Sequence, residues 1–373
     1  MKFTIDRGAL LKALTHVQSV VERRNTIPIL SNVLMRAQEA AVELSATDMD
    51  IVVVEKVSAD VSQTGATTVA AHTLFEIVRK LEEGSQIELG GGAEEGQIAM
   101  RSGRSSLKLA TLASEDFPAM TDDDMPYSFT LGAADLRNLI DRTRFAISTE
   151  ETRYYLNGIY LHAAESDEGR AVLRAVATDG HRLARMEIPI PSGAEAIPGV
   201  IVPRKTVNEL RKLIDEIDCD IALMMSDTKI RFAINGIILS SKLIDGTFPD
   251  YDRVIPEENN KFLEVSCNRF ERAVDLVSTI STEKSRAIKL SLGSNSLVLS
   301  ATSPDAGSAT EELEVDYSDG DLEIGFNSKY LIDITQQIQG NKARFALSDS
   351  TSPTLVKDLE DENALYVLMP MRV

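Results

Sequence analysis

The short motif with the clearest catalytic chemistry is Asp179-Gly180-His181-Arg182. A carboxylate and an imidazole two positions apart are the groups that a hydrolase uses as a general base and its orienting partner. A hydrolase also needs an activated nucleophile and an oxyanion site, and the sequence contains no nucleophile-elbow motif. We therefore expect a protein that is not an enzyme.

Phosphate and metal chemistry are also poorly supported. The glycine-rich segment 90–96 lacks both the Lys-Ser/Thr pair of a phosphate-binding loop and GxGxxG spacing, so it predicts a mobile hairpin tip. The chain has two cysteines, four histidines and no CxxC motif, which disfavours a zinc site or a disulfide framework. The acidic run Asp122–Asp124 is more typical of a solvated surface. We expect no cofactor and no metal.

One order of predicted strands and helices recurs three times along the 373 residues. Short strands at Phe3–Ile5, Phe129–Leu131 and Leu263–Val265 each lead into a helix whose first apolar anchor follows five positions later. Each third then continues with alternating apolar strands, a second helix and closing strands such as Ile237–Lys242 and Ala364–Met369. Each third therefore contains two helices and many strands connected by hairpins. This pattern predicts three similar α+β domains, in which helices pack on antiparallel sheets.

The distribution of charge separates the helices from the rest of the chain. The formal net charge is −19, which disfavours DNA binding through an ordinary basic exterior. The six predicted helical segments nevertheless hold 18 basic and 12 acidic residues. This excess fits either ordinary solvated helix faces or helices that share one surface facing a polyanion. A monomeric adaptor that binds peptides but not DNA remains an alternative class.

The sequence resembles the bacterial sliding clamp family, the beta subunit of DNA polymerase III, over essentially its whole length. The strings that carry the resemblance keep the family's order: Met1–Thr4, Thr26–Leu30, Arg101–Ser105, Arg153–Gly158, Ala177–Leu183, Ile201–Lys205, Ser241–Gly246, Phe248–Tyr251 and Tyr366–Arg372.

The resemblance implies a head-to-tail ring homodimer with helices lining the hole and sheets forming the rim. It places three domains at residues 1–124, 125–256 and 257–373. The implied function is that of a processivity factor of DNA replication, which encircles duplex DNA without sequence specificity. The implied partners are the replicative polymerase, the clamp loader and repair polymerases, each held through a short linear peptide.

The resemblance also assigns residues. DNA contact falls to Arg24, which closes the first basic helix, and to Arg79, Tyr154 and Tyr155; Tyr155 is also expected to pack against the peptide groove. The dimer contact falls to Leu107 and Leu109 on a strand of the first domain and to Ile280 in the third, although all three also fit ordinary core positions.

A peptide-binding groove is the second implied site. Its apolar side chains would pack against a peptide, and Arg182 and Arg372 would donate hydrogen bonds to peptide carbonyls or carboxylates. Asp252 departs from the family pattern, which often has two basic residues at this point, so the groove is expected to attract acidic peptides less strongly. The groove residues are Leu156, Thr178, Gly180, His181, Arg182, Leu183, Pro249, Arg253, Val254, Tyr330, Ser350, Val367, Met369, Pro370, Met371 and Arg372.

The cellular compartment is predicted from what the sequence lacks. The segment Met1–Asp6 has no long apolar stretch of the secretory type, and no apolar run approaches the roughly 20 residues that span a bilayer. Two cysteines fit a reducing compartment. We therefore predict a cytoplasmic protein that does not contact a membrane.

Overall fold

The first third of the chain begins with the predicted strand and helix. The computed structural model describes residues 1–91, 96–118, 124–215, 217–281 and 286–372. The Asp6 side chain accepts a hydrogen bond from the Ala9 amide (2.9 Å) and so caps the first helix. The elements are β1 (Lys2–Asp6), α1 (Arg7–Val17), β2 (Asn32–Gln38), β3 (Ala41–Thr47), β4 (Ile51–Ser58), β5 (Asp60–Gln63), β6 (Gly65–Ala70), α2 (Ala71–Lys80), β7 (Gln86–Gly90), β8 (Gln97–Ser102) and β9 (Ser105–Leu112).

The first helix is shorter than the sequence predicts. It ends at Val17 and is followed by a 3-10 turn, Gln18–Val20, so that Arg24 lies beyond the helix and does not close it. The Ser19 hydroxyl donates to the carbonyl of His16 (2.7 Å), and a β-branched pair, Val20-Val21, comes next. Both features favour leaving the α-helical path.

The middle third repeats the same order. The β16–β17 hairpin turns at Asn235 and Gly236, whose positive φ angles (44° and 85°) suit a tight two-residue loop. The elements are β10 (Tyr127–Gly132), α3 (Ala133–Asp141), β11 (Gly158–Glu165), β12 (Ala171–Thr178), β13 (Arg182–Pro189), β14 (Val200–Pro203), α4 (Arg204–Leu213), β15 (Asp220–Met225), β16 (Lys229–Ile234) and β17 (Ile237–Lys242).

The last third has the same order again and ends in a buried strand. The segment 256–260, at the predicted boundary between the second and third domains, is irregular. The elements are β18 (Lys261–Ser266), α5 (Cys267–Ser278), β19 (Ala287–Gly293), β20 (Ser296–Ser303), β21 (Gly307–Glu314), β22 (Leu322–Asn327), α6 (Ser328–Thr335), β23 (Lys342–Leu347), β24 (Thr354–Asp358) and β25 (Ala364–Leu368).

The chain folds into two compact units, and sheets join consecutive thirds of the chain within each unit. The unit formed by residues 1–133 and 208–243 holds one sheet in the order β10-β15-β16-β17-β4-β3-β2-β6-β9-β8-β7-β1-β5. The pairing of β17 with β4 connects the middle third to the first.

The other unit, residues 134–207 and 244–373, holds two sheets. The larger has the order β14-β11-β12-β13-β25-β24-β23-β18, and the smaller has the order β21-β20-β19-β22. Here the pairing of β13 with β25 connects the middle third to the last. The strand pairs recorded among the described residues are antiparallel, which confirms the predicted α+β class of helices on antiparallel sheets.

Two predicted loops fall partly outside the described residues. Strands β7 and β8 pair through Leu89 and Met100, as a hairpin requires, but residues 92–95 of its predicted tip lie outside the described part. Residues 122 and 123 of the acidic run Asp122–Asp124, next to the predicted end of the first domain, also lie outside it.

Candidate functional site: a groove beside the middle domain's aspartate turn

A tight turn between β12 and β13 forms one end of the predicted groove. The Thr178 hydroxyl donates to the Arg182 carbonyl (2.7 Å) and accepts from the Gly180 amide (3.1 Å). One oxygen of Asp179 accepts from the amides of His181 (2.9 Å) and Arg182 (3.0 Å). The carboxylate that first suggested catalysis is therefore occupied in shaping the turn.

Gly180 lies at the tip of this turn, where the backbone conformation favours glycine. Its φ is +87°, in the left-handed region, and an added Cβ would lie 2.4 Å from Nη1 of Arg153. Arg153 is in turn held by Glu150, which it contacts at 2.7 Å. That hydrogen bond lowers the pKa of Glu150 and raises the pKa of Arg153.

Arg182 is the most constrained charged group of the site. Its Nε donates to Asp179 (3.1 Å), its Nη1 to Asp333 (2.6 Å) and its Nη2 to the Phe145 carbonyl (2.6 Å). Its guanidinium also lies over the ring of Tyr330, 4.3 Å from the ring centroid. Only 7% of the residue is exposed, so it is not the open guanidinium that the sequence led us to expect. In this position Arg182 holds the turn and Tyr330 together.

Several of the predicted groove residues belong to one cluster of buried apolar side chains. Three predicted groove residues, Leu156, Leu183 and Val367, belong to it, and Leu183 and Val367 are paired across β13 and β25. Tyr155 and Tyr160 pack against the cluster as partly buried side chains. We call this set the groove cluster; its buried members are Leu156, Val176, Leu183, Ile201, Phe248, Tyr251, Leu365 and Val367.

Two backbone hydrogen bonds fix the segment that follows β25. The Met369 amide donates to the His181 carbonyl (2.9 Å), and the Met371 amide donates to the Gly325 carbonyl (2.8 Å). Met369 remains 39% exposed, so the segment presents an apolar side chain next to the turn. Pro370 and Arg372 belong to the same segment.

The remaining predicted residues lie on two flanking segments. A short 3-10 helix, Tyr251–Val254, follows Pro249; it carries the exposed Val254 and Arg253, whose Nε contacts Asp250 at 2.6 Å. Ser350 lies on the β23–β24 loop, where Asp349 accepts hydrogen bonds from the amides of Thr351 and Ser352. These bonds lower the pKa of Asp349 to about 2.

Comparison with known proteins decides the family. Three family models of the DNA polymerase III beta subunit match the chain: the N-terminal domain at residues 1–121, the central domain at 130–250 and the C-terminal domain at 252–372. The chain belongs to the DNA polymerase III beta subunit family. Members of this sliding clamp family are non-catalytic processivity factors of DNA replication.

Individual relatives agree over full length. The chain is 50% identical to the beta sliding clamp of Caulobacter vibrioides (strain NA1000) over 373 residues, and 39% identical to that of Escherichia coli K12 over 376 residues, with all of each chain covered. The structure of a Bartonella birtlesii sliding clamp bound to griselimycin matches with a TM-score of 0.97, 48% identity and full coverage of both chains. A Caulobacter crescentus clamp with PEG at its putative beta-motif tethering region matches with a TM-score of 0.97 at 50% identity, covering 100% of this chain and 99% of that one.

The residues predicted to contact DNA are divided between the two units. Arg24 is exposed, and Arg79 is exposed and contacts Glu76 at 2.7 Å. Tyr154 is 54% exposed, whereas Tyr155 packs on the groove cluster as the sequence suggested. The two tyrosine rings meet edge to face with centroids 5.8 Å apart.

The residues predicted at the dimer contact differ in exposure. Leu107 and Ile280 are half-buried, while Leu109 is 7% exposed and packs within its own unit. In the described chain β9 pairs with β6 through Leu112 and Thr111 alone, so residues 105–110 line a sheet edge.

The hydrogen-bond partners that fix Arg182 could not be predicted from the sequence, except for Asp179. Phe145 and Asp333 are far from Arg182 in sequence, and nothing in their local patterns links them to it. Asp179 was detectable from its spacing of three residues to Arg182. Among the described residues no group of three or more metal-ligating side chains occurs, and no described helix is long and apolar enough to cross a membrane.

Proposed function

We propose that this clamp acts as a head-to-tail ring homodimer that encircles duplex DNA and tethers polymerases, the clamp loader and repair polymerases through the groove. The observation that carries the proposal is the groove cluster, which continues from the middle third into the final strand of the chain, close in sequence to the exposed Met369. An apolar bed of this kind, bordered by a turn with fixed backbone groups, suits a short linear peptide.

The proposed groove comprises all sixteen residues that the sequence analysis assigned to it. Griselimycin is the ligand that the Bartonella birtlesii clamp carries, and we propose that this chain also binds griselimycin, in the groove proposed here. Arg182 acts by positioning the turn and Tyr330, since its nitrogens already donate to protein acceptors. Arg372 and Arg253 are the exposed cations left to face a peptide.

The proposed dimer contact joins two sheet edges. Residues 105–110 of β9 form one edge, and β21 forms the end of the four-stranded sheet. Strand β9 carries Lys108, whereas β21 carries Glu311, Glu312 and Glu314. Pairing of these edges between two copies would satisfy exposed backbone groups and bring opposite charges together. Leu107, Leu109 and Ile280 remain our candidates for its apolar part.

The proposed DNA contacts are Arg24, Arg79, Tyr154 and Tyr155, with exposed Tyr154 best placed to stack on a base. The proposed domains are residues 1–124, 125–256 and 257–373, and the proposed compartment is the cytoplasm. Without a dense basic cluster, retention on DNA has to come from enclosure. A tether through the groove then keeps a polymerase at high effective concentration near the primer end.

Retention on circular DNA tests the ring. We expect the protein, loaded with a clamp loader from a relative, to remain on a nicked circle through gel filtration and to leave when the circle is linearised. Linear DNA whose two ends are blocked by bound protein should retain the clamp again. Equal retention on open linear DNA and on the circle would contradict enclosure.

Removal of residues 369–373 tests the groove. We expect griselimycin binding, measured by calorimetry, to be lost while sedimentation still reports a dimer. Undiminished binding by the truncated protein would refute the groove assignment.

A further inference from the structure

A hydrogen-bond chain connects Arg174, Tyr251 and His162, and it includes one member of the groove cluster, Tyr251. Nη1 of Arg174 donates to the Tyr251 hydroxyl (2.8 Å), and that hydroxyl lies 3.0 Å from Nε2 of His162. Nδ1 of His162 lies 3.0 Å from the Ala163 carbonyl. The guanidinium is donor-only, so the Tyr251 oxygen accepts from Arg174 and its own proton is left for another acceptor. With a neutral His162 that carries its proton on Nδ1, the phenol donates to Nε2, Nδ1 donates to the Ala163 carbonyl, and each proton of the chain has an acceptor.

The charges around the imidazole favour that neutral state. Burial lowers the pKa of His162, and the neighbouring Arg174 lowers it further, against the opposing effects of the hydrogen bond to the Ala163 carbonyl and of Asp252. Arg174 itself is fixed by Glu187 (2.7 Å) and by the Glu165 carbonyl (2.8 Å). The titratable and charged groups that face the imidazole or its partners are Tyr160, Glu165, Asp167, Arg174, Arg185, Glu187, Tyr251 and Asp252.

The same chain is connected to the groove through Tyr251. The Tyr251 ring is part of the groove cluster, and Tyr251 begins the 3-10 helix that carries Arg253 and Val254. Asp252, the departure from the family pattern, has an oxygen 3.8 Å from Nη1 of Arg174. On the other side His162 stacks on Tyr160 (4.5 Å), which stacks on Phe248 (4.8 Å), the residue before Pro249.

We propose that the hydroxyl of Tyr251, fixed between Arg174 and neutral His162, positions the wall of the peptide groove at residues 249–254 and makes ligand affinity depend on this hydrogen-bond chain. The inference rests on the proposed function of the groove. Tyr251, Arg174 and His162 are positioning residues. Protonation of His162 would put a second cation beside Arg174 and turn Nε2 from an acceptor into a donor, which leaves the Tyr251 proton without its acceptor.

The sign of the pH effect follows from the direction of the shift. Because the pKa of His162 is lower in the folded protein than in the unfolded chain, its stabilising contribution is present above the unfolded value and is lost as the pH falls. Groove affinity should fall in the same acidic range if the chain positions the wall.

The test measures griselimycin affinity between pH 8 and pH 5.5 for the wild type and matched variants. Tyr251→Phe leaves a buried Arg174 donor without its acceptor, and we expect binding about tenfold weaker at pH 8, a loss of about 1.4 kcal/mol. His162→Gln keeps an acceptor and a donor, so it should bind nearly as well as wild type at pH 8 but show a flatter acid profile. Tyr317→Phe is the control, since it removes another buried phenol bond, to the Gly320 carbonyl (2.6 Å), outside the groove cluster.

The outcomes separate three accounts. A weaker Tyr251→Phe variant together with a flatter His162→Gln profile and an unchanged Tyr317→Phe affinity supports the inference. Wild-type affinity in Tyr251→Phe, or equal losses in both phenylalanine variants, overturns it while leaving the groove intact. Failure of the wild type to bind griselimycin at any pH would overturn the groove assignment as well.

Discussion

The first and middle thirds of the clamp each end a strand in the same turn, but only one of the two turns borders the proposed groove. In the first third Thr47 donates to the Ile51 carbonyl, and Asp48 accepts from the amides of Asp50 and Ile51. These bonds reproduce those of Thr178 and Asp179 position by position.

Both turns are also joined to the next third in the same way. The Lys242 amide donates to the Asp50 carbonyl (2.9 Å) just after β17 pairs with β4. The Met369 amide donates to the His181 carbonyl (2.9 Å) just after β25 pairs with β13. The backbone is thus repeated, and the side chains make the difference.

Three equivalent positions carry that difference. The left-handed residue is Met49 (φ 83°) in the first turn and Gly180 in the second. Buried Ile51 stands where the second turn has Arg182, and exposed Lys242 stands where the second junction has Met369. A repeated backbone therefore does not make a repeated site. The swaps below test each position in order of expected effect.

The largest effect is expected for Arg182→Ile, which gives the second turn the residue of the first. It leaves Asp179 and Asp333 without their buried cation, and loss of one partner of such a pair costs about 3–5 kcal/mol. We expect chemical denaturation to show a loss of that order, with griselimycin binding abolished. Ile51→Val is the matched control and should cost about 1 kcal/mol with binding retained. A loss for Arg182→Ile no larger than the control's would show that the arginine does not hold the site.

An intermediate effect is expected for Gly180→Met. A non-glycine residue in the left-handed region costs about 1–2 kcal/mol, and its Cβ would also force Arg153 to move. We expect griselimycin binding to weaken about tenfold by calorimetry. The reverse swap, Met49→Gly, should relieve strain and leave binding unchanged, so equal effects of the two swaps would mean that the turns are interchangeable.

The smallest effect is expected for Lys242→Met. The swap removes an exposed contact between Nζ and Asp50 (3.0 Å) but keeps the backbone bond. Exposed ion pairs contribute about 0–1 kcal/mol, so we expect a change in unfolding free energy within that range that shrinks further in high salt. A larger loss that persists in high salt would show that the first junction depends on this side chain.

The third repeat extends the comparison. In sequence, Ala301-Thr302-Ser303 matches the strand ends Ala46-Thr47-Asp48 and Ala177-Thr178-Asp179, but in the structure Ser303 pairs directly with Gly307, and β20 continues into β21. In the described chain β21 is an end strand of its sheet. This is consistent with the proposal that the third repeat finds its next strand in another copy.

Local sequence pattern predicted most of the fold. The apolar spacing of Leu10 and Leu14 and the alternation in Leu107–Leu109 and Leu297–Leu299 were sufficient for helix and strand, because period and burial are properties of neighbouring residues. The end of α1 was missed, since the Ser19 side chain competes for a backbone carbonyl that apolar spacing does not report. The roles in the candidate site came from family resemblance, and their assignment remains a proposal.

The sequence alone determined the threefold order of elements and the α+β class, because both follow from the local periodicity of apolar residues. It also determined the membership in the clamp family, because continuous strings of residues match that family. Only the tertiary structure decided that Arg182 is engaged by Phe145 and Asp333, and that Tyr251 is held between Arg174 and His162. These partners are separated by up to 151 positions along the chain. Hydrogen bonds depend on distances of about 3 Å in space, and no spacing rule carries that information.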